Sequence, residues 1–146
     1  MSGVEEYQKI LKTLKGVHFF EKLSLDALEQ LLSHLKKLSC PKGYAIIREG
    51  DIGDSFFIII KGSVSVWKKK RFFGKTQLAS LGPDKFFGEM ALVTNEPRTA
   101  SVMAEDHCEL LVLYKNDFKL LLESSKEIDN AVKVVLQIRK VNNQNK

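Results

Sequence analysis

Glycines cut the middle of this chain into short, evenly spaced apolar runs, and that punctuation limits the folds open to it. Pro41 and Gly43 precede the run 44–48, Gly50 and Gly53 precede 55–61, and Gly62, Gly74 and Gly82-Pro83 bound 63–69 and 75–81. Runs of this length, rich in β-branched and aromatic residues, read as strands, and glycine at the corners tolerates the positive φ of tight turns. Two more runs, near 99–105 and 108–114, continue the pattern. Short strands at even spacing indicate a β-sandwich or barrel.

Helical periodicity flanks the strands on both sides. Residues 4–15 carry Val4, Tyr7, Ile10, Leu11 and Leu14 at helical spacing, and 24–38 form a stronger helix. Ser24 can cap its start, Asp26 and Glu29 suit its positive end, and Leu25, Leu28, Leu31, Leu32 and Leu35 make one stripe. Helix returns at about 116–124 and 126–141. No internal repeat or linker interrupts the order of helices, strands, helices. The 146 residues therefore read as a single domain: N-terminal helices at about 4–38, β structure at about 39–114, C-terminal helices at about 116–141.

Several functional classes are disfavoured. The longest apolar run, Phe56–Ile60, falls far short of the ~20 residues that span a bilayer, and the N-terminus lacks a secretory pattern. Cys40 and Cys108 lie far apart in sequence without a CxxC partner, which suits free thiols and a cytoplasmic location. His18, His34 and His107 form no HxH or HxxxH pair, so no metal is expected, and Asp51 and Asp54 lack the rest of a calcium loop. Ser101 has no supporting His–Asp arrangement, and no catalytic residue is assigned. Trp67 reads as strand or hairpin packing. The net charge is +5, and its densest cluster, Lys68-Lys69-Lys70-Arg71 before Phe72-Phe73-Gly74-Lys75, reads as a solvated hairpin tip rather than a nucleic-acid surface.

The stretch FFGEMALVTNEPRTASVMA, Phe86 to Ala104, is different. It places an acid, Glu89, beside a Gly-aromatic run and the stretch's one base, Arg98, nine residues later, within a mostly apolar segment. Gly88 lets a ligand approach the backbone closely. An ionised Glu89 offers only acceptors, suited to vicinal sugar hydroxyls. A helical turn over 89–93 would present free amides to an anion, and Arg98 supplies a planar fork for two phosphate oxygens. Thr99 adds a hydroxyl beside it, and Ala100 leaves room. The residues therefore suit a sugar at one end and an anion at the other. A Glu89–Arg98 ion pair stapling two segments together is the alternative, although buried pairs contribute little net stability.

Phe87-Gly88-Glu89-Met90-Ala91-Leu92 followed by Pro97-Arg98-Thr99-Ala100-Ser101-Val102 resembles the phosphate-binding cassette of cyclic nucleotide-binding domains. That family includes kinase regulatory subunits, cyclic-nucleotide-regulated channels and catabolite-activator-type regulators. The segment Glu49–Gly62 resembles the family's glycine-bounded hairpin. The resemblance implies a mainly β fold with flanking α: an eight-stranded jelly-roll β-roll with N-terminal helices and C-terminal lid helices. It also implies a ligand, cAMP or cGMP, and no further cofactor. The contacting residues would be Gly88, Glu89, Met90, Ala91, Arg98, Thr99 and Ala100. Glu89 would take the ribose 2′-hydroxyl and Arg98 the cyclic phosphate, assisted by amides of Gly88, Glu89 and Ala91. Thr99 would serve the phosphate and base, and leaves cAMP and cGMP both open.

Stepping about 100° per residue from Ile128 spreads the apolar positions of the last helix over roughly 220°, wider than one core needs. The excess predicts a second contact: a ligand, a second subunit or an effector domain. Val135 lies in this arc, as does Arg139, which can stack on a purine or snorkel at the helix end. In the family this helix is a lid. The resulting expectation is a non-catalytic sensor that turns cyclic nucleotide binding into movement of its C-terminal helices, either alone or within a larger protein. The alternative is a protein–protein interaction module with a vacant pocket.

Overall fold

The computed structural model describes residues 3–144, with side chains described through Ile138. Helix α1 (Gly3–Lys15) and α2 (Leu25–Ser33) precede strands β1 (Lys36–Cys40), β2 (Ala45–Ile47), β3 (Ser55–Lys61), β4 (Val64–Lys69), β5 (Lys75–Leu81) and β6 (Phe86–Phe87). A 3₁₀ turn (Glu89–Leu92), β7 (Ser101–Ala104), β8 (Cys108–Tyr114), α3 (Lys115–Ser124) and α4 (Lys126–Gln144) follow. Among the described residues the eight strands form two four-stranded sheets, ordered β1-β8-β3-β6 and β2-β7-β4-β5, with antiparallel pairing throughout. The eight-stranded roll with flanking helices is present, as the resemblance implied.

The apolar run of β3 is continuous because both faces of the strand are covered. Side chains alternate across a strand. Phe56 and Ile58 enter a core made with α1, α2, α3 and α4, which includes Leu14, Phe20, Leu28, Phe118 and Ile128. Phe57 and Ile59 enter a second core between the sheets, with Val64, Phe87, Val102 and Leu110. β8 divides in the same way, Leu111 and Leu113 toward the helices, Leu110 and Val112 between the sheets. Phe20 anchors the helical side, with its ring 6.5 Å from Phe56 and 6.0 Å from Phe118.

Two elements depart from the sequence reading. The helix expected over 24–38 stops at Ser33, and Lys36–Cys40 is an edge strand paired with β8. Leu38 extends the leucine spacing of α2, but its backbone pairs opposite Leu110. β6 has two residues, held opposite Phe57 and Ile58, and was not expected. Ser24 caps α2 as expected, accepting from the Ala27 amide, and also donates from its amide and hydroxyl to Glu127 of α4 at 2.6 and 2.7 Å. That clasp ties the start of α4 to the start of α2.

Cys40 and Cys108 are free and buried, but they face one another in the β1–β8 register. Burial raises both thiol pKa values. No helix among the described residues is long and apolar enough to cross a membrane.

Candidate ligand-binding site

The cassette is built where the turn between β2 and β3 meets the segment following β6. Arg98 is fixed first by its backbone: its amide donates to the Asp51 carbonyl at 2.7 Å, and its carbonyl accepts from Gly50 at 2.9 Å. Pro97 bridges Ile52 immediately before it. Ser101 Oγ accepts the Glu49 amide at 2.9 Å and closes the far side. The two segments therefore hold Arg98 irrespective of what its side chain does.

The side chain is half-buried, and its guanidinium donates to the carbonyls of Ser55 (2.7 Å) and Gly88 (3.2 Å). Two glycines make room for it. A Cβ on Gly53 would fall 2.8 Å from Arg98 Nε and 2.7 Å from the Ala91 methyl. A Cβ on Gly88 would fall 2.9 Å from Arg98 Nη1, and the φ of +81° at Gly88 suits glycine in any case. Gly88 also starts the 3₁₀ turn that carries Glu89, Met90 and Ala91.

The ion-pair alternative is not what the structure shows. Among the described residues Glu89 forms no ion pair with Arg98, whose fork is bonded to neutral carbonyls instead. Burial pulls the Arg98 pKa below its ordinary value, while the charges of Asp54 and Glu89 oppose the shift. A guanidinium stays protonated at neutral pH. The result is a half-desolvated cation with remaining N–H groups and no carboxylate in direct contact.

Arg98 lines a cleft of about 220 Å³ with Ile46, Ile47, Asp51, Ile52, Asp54 and Ser55. Two larger hollows, of about 390 and 550 Å³, lie under α1 around Lys9, Thr13 and Asp84. Neither reaches the cassette, and their charged residues are mostly exposed lysines. The chemistry sits with Arg98 rather than with the larger volumes. No group of three or more His, Cys, Asp or Glu side chains is placed to hold a metal among the described residues.

The other expected site residues distribute as follows. Glu89, Met90 and Ala100 are half-buried, Ala91 is buried and Thr99 is exposed. The Ala91 amide, expected to assist at the phosphate, instead donates to Gly88 O at 3.2 Å and closes the turn. The Thr99 carbonyl accepts from Lys68 at 2.9 Å, which connects the cassette to β4. Val135 packs against the helical core rather than lining the Arg98 cleft, and the side chain of Arg139 lies outside the described residues. On α4, Val134 and Ile138 are 58% and 51% exposed, so part of the wide apolar arc has no cover. Sequence reasoning missed Gly53 and the Ser55 carbonyl. Gly53 was legible only as a turn residue, and a backbone acceptor leaves no side-chain signal.

The family model described as cyclic nucleotide-binding domain matches residues 37–125. A cyclic nucleotide-gated potassium channel of Rhizobium etli is 34% identical over 129 residues, covering 88% of this chain and 35% of the channel. A cAMP-dependent protein kinase regulatory subunit of Eremothecium gossypii is 35% identical over 120 residues, covering 82% of this chain and 25% of that protein. The chain thus spans about a third or less of these two relatives. The solved structure of cAMP-bound PfPKA-R superposes with a TM-score of 0.74 at 30% identity, covering 83% of this chain and 43% of that one. A jelly roll of this order, a cassette with Arg98 held by backbone carbonyls, and a family model spanning its strands identify the chain as a member of the cyclic nucleotide-binding domain family.

Proposed function

We propose that this chain is a non-catalytic regulatory module that binds cAMP or cGMP at the cassette and passes occupancy to its C-terminal helices. The observation that carries the reading is the Arg98 guanidinium: half-buried, protonated, held by two carbonyls and lacking a directly bound carboxylate. A cyclic phosphodiester supplies the missing anion, and the fork matches two of its oxygens. Glu89 accepts the ribose 2′-hydroxyl, and the Gly88 and Glu89 amides face the same anion. Met90, Ala91, Thr99 and Ala100 complete the wall. The channel and kinase-subunit relatives named above suit such a role, with the chain acting either alone or as part of a larger regulated protein.

Coupling requires that nucleotide bind one arrangement of α4 more tightly than another. A tenfold preference corresponds to about 1.4 kcal/mol. Val135 sits outside the cleft, so a closed arrangement that brings it over the base needs α4 to move. The exposed Val134 and Ile138 also suit a second subunit or effector on the same helix. Parallel calorimetry with cAMP, cGMP and AMP is the test. Saturable binding of a cyclic nucleotide with weak or no AMP binding is expected. Absence of binding by both cyclic nucleotides overturns the reading and leaves an interaction module with a vacant pocket.

A further inference from the structure

The β4–β5 hairpin has a tip that cyclic nucleotide binding does not use. Lys70 donates its amide to the Gly74 carbonyl at 2.9 Å and closes a turn whose apex is Arg71-Phe72-Phe73. Phe72 and Phe73 are 85% and 87% exposed. Single exposed apolar residues are ordinary, but two adjacent phenylalanines at the apex of an ordered turn form a projecting apolar point. Around it stand Lys68, Lys69, Lys70, Arg71 and Lys75; the hairpin itself holds no acid between Ser63 and Pro83, and Glu49 from the neighbouring segment accepts the Lys69 amide at 2.9 Å. Lys69 and Lys75 sit directly opposite one another across the two strands. Like charges in that position repel. Lys75 Nζ stands over the face of Trp67, 4.6 Å from the ring centroid, and Arg71 lies 5.6 Å from the Phe72 ring.

The geometry points to this tip as a docking element for the surface of a bilayer that contains anionic lipid. Phe72 and Phe73 enter the boundary between headgroups and acyl chains, and the flanking lysines and Arg71 meet lipid phosphate and carboxylate groups. Long basic side chains are suited to this, because their stems lie along apolar surface while their heads stay with the headgroups. Trp67, half-buried, donates from Nε1 to Ser65 Oγ at 2.7 Å, and an indole of this kind is at home at the interface level. Nucleic acid fits less well: the basic residues form one short cluster at a hairpin tip rather than a stripe along a face that could track a phosphate backbone. Each basic residue at an anionic surface strengthens partitioning by about fivefold. Each partly inserted phenylalanine adds about tenfold. Binding through one such tip is reversible.

The whole chain sedimented with phosphatidylcholine vesicles, with and without phosphatidylserine, tests this. Binding is expected only where phosphatidylserine is present and is expected to weaken as salt rises. F72S/F73S should reduce it about a hundredfold. Replacing Lys69, Lys70, Arg71 and Lys75 with Gln should abolish it. Both Phe side chains are exposed, so the thermal unfolding midpoint of F72S/F73S should match that of the parent chain. A parent chain that stays in the supernatant overturns the proposal. So does an F72S/F73S variant that binds vesicles like the parent, since charge alone would then suffice. Oligonucleotide binding lost in F72S/F73S, with no vesicle binding, assigns the tip to nucleic acid instead.

Discussion

Replacing Arg98 with Ala should separate ligand affinity from stability. In the free protein the substitution removes two hydrogen bonds, to Ser55 O and Gly88 O. Bonds from a charged donor contribute about 1.5–3 kcal/mol each. Against this stands the cost of keeping a guanidinium half out of water, a penalty of several kcal/mol for a fully buried ion and less here. The opposing effects leave a net loss of stability of about 0–2 kcal/mol. In the complex, the same change leaves a phosphate without its partner, which costs about 2–5 kcal/mol. Affinity for cyclic nucleotide should therefore fall about thirtyfold to several-thousandfold, far more than stability. Arg98→Lys keeps the charge without the fork and should lie between parent and Ala variant. Isothermal calorimetry and urea unfolding of the free protein measure the two quantities. Unchanged affinity in the Ala variant refutes the reasoning, as does a stability loss equal to or larger than the binding loss.

Three further outcomes follow from the same geometry. Glu89→Ala should weaken binding less than Arg98→Ala and reduce discrimination against the 2′-deoxy analogue; equal discrimination in variant and parent, measured by competition, counts against the ribose assignment. Gly53→Ala places a methyl 2.7 Å from the Ala91 Cβ and 2.8 Å from Arg98 Nε, so it should cost about 1–3 kcal/mol in urea unfolding and weaken nucleotide binding as well; unchanged values of both would contradict the close approach. The hydrogen bonds from Ser24 lower the Glu127 pKa, so the clasp contributes stability above the ordinary glutamate range and loses it as pH falls through the lowered pKa. The difference in unfolding midpoint between parent and Glu127→Gln should accordingly be largest near neutral pH and shrink in acid, and a difference independent of pH is the contrary result.

The strands bounded by glycines and the helices with strong apolar stripes were legible in the sequence because their signal is local. β1 was not, because Leu38 continues the spacing of α2 while the partner that makes it a strand, Leu110, lies far along the chain. β6 is too short for alternation to register. In the site, Glu89 and Arg98 stood out as charges within a mostly apolar stretch. Whether they pair with each other was open until the backbone was known, because the groups that hold Arg98 are carbonyl oxygens. Position on α4 identified a surplus apolar face, but which residues of it are left uncovered depends on where α3 and the helical core sit.

Strand β3 works as a party wall with different tenants on its two sides. At its first residue, the Ser55 carbonyl grips Arg98; at the next, the Phe56 ring leans on Phe20 and on Phe86, 5.9 Å away. One peptide unit therefore separates the carbonyl that holds Arg98 from the aromatic cluster beneath the helices. In the coupling proposed above, a turn of the guanidinium toward a phosphate would bear on that unit and on the ring beside it, in an interior packed too tightly to absorb displaced volume locally. The route from site to helices in that proposal is the strand itself, with no long relay.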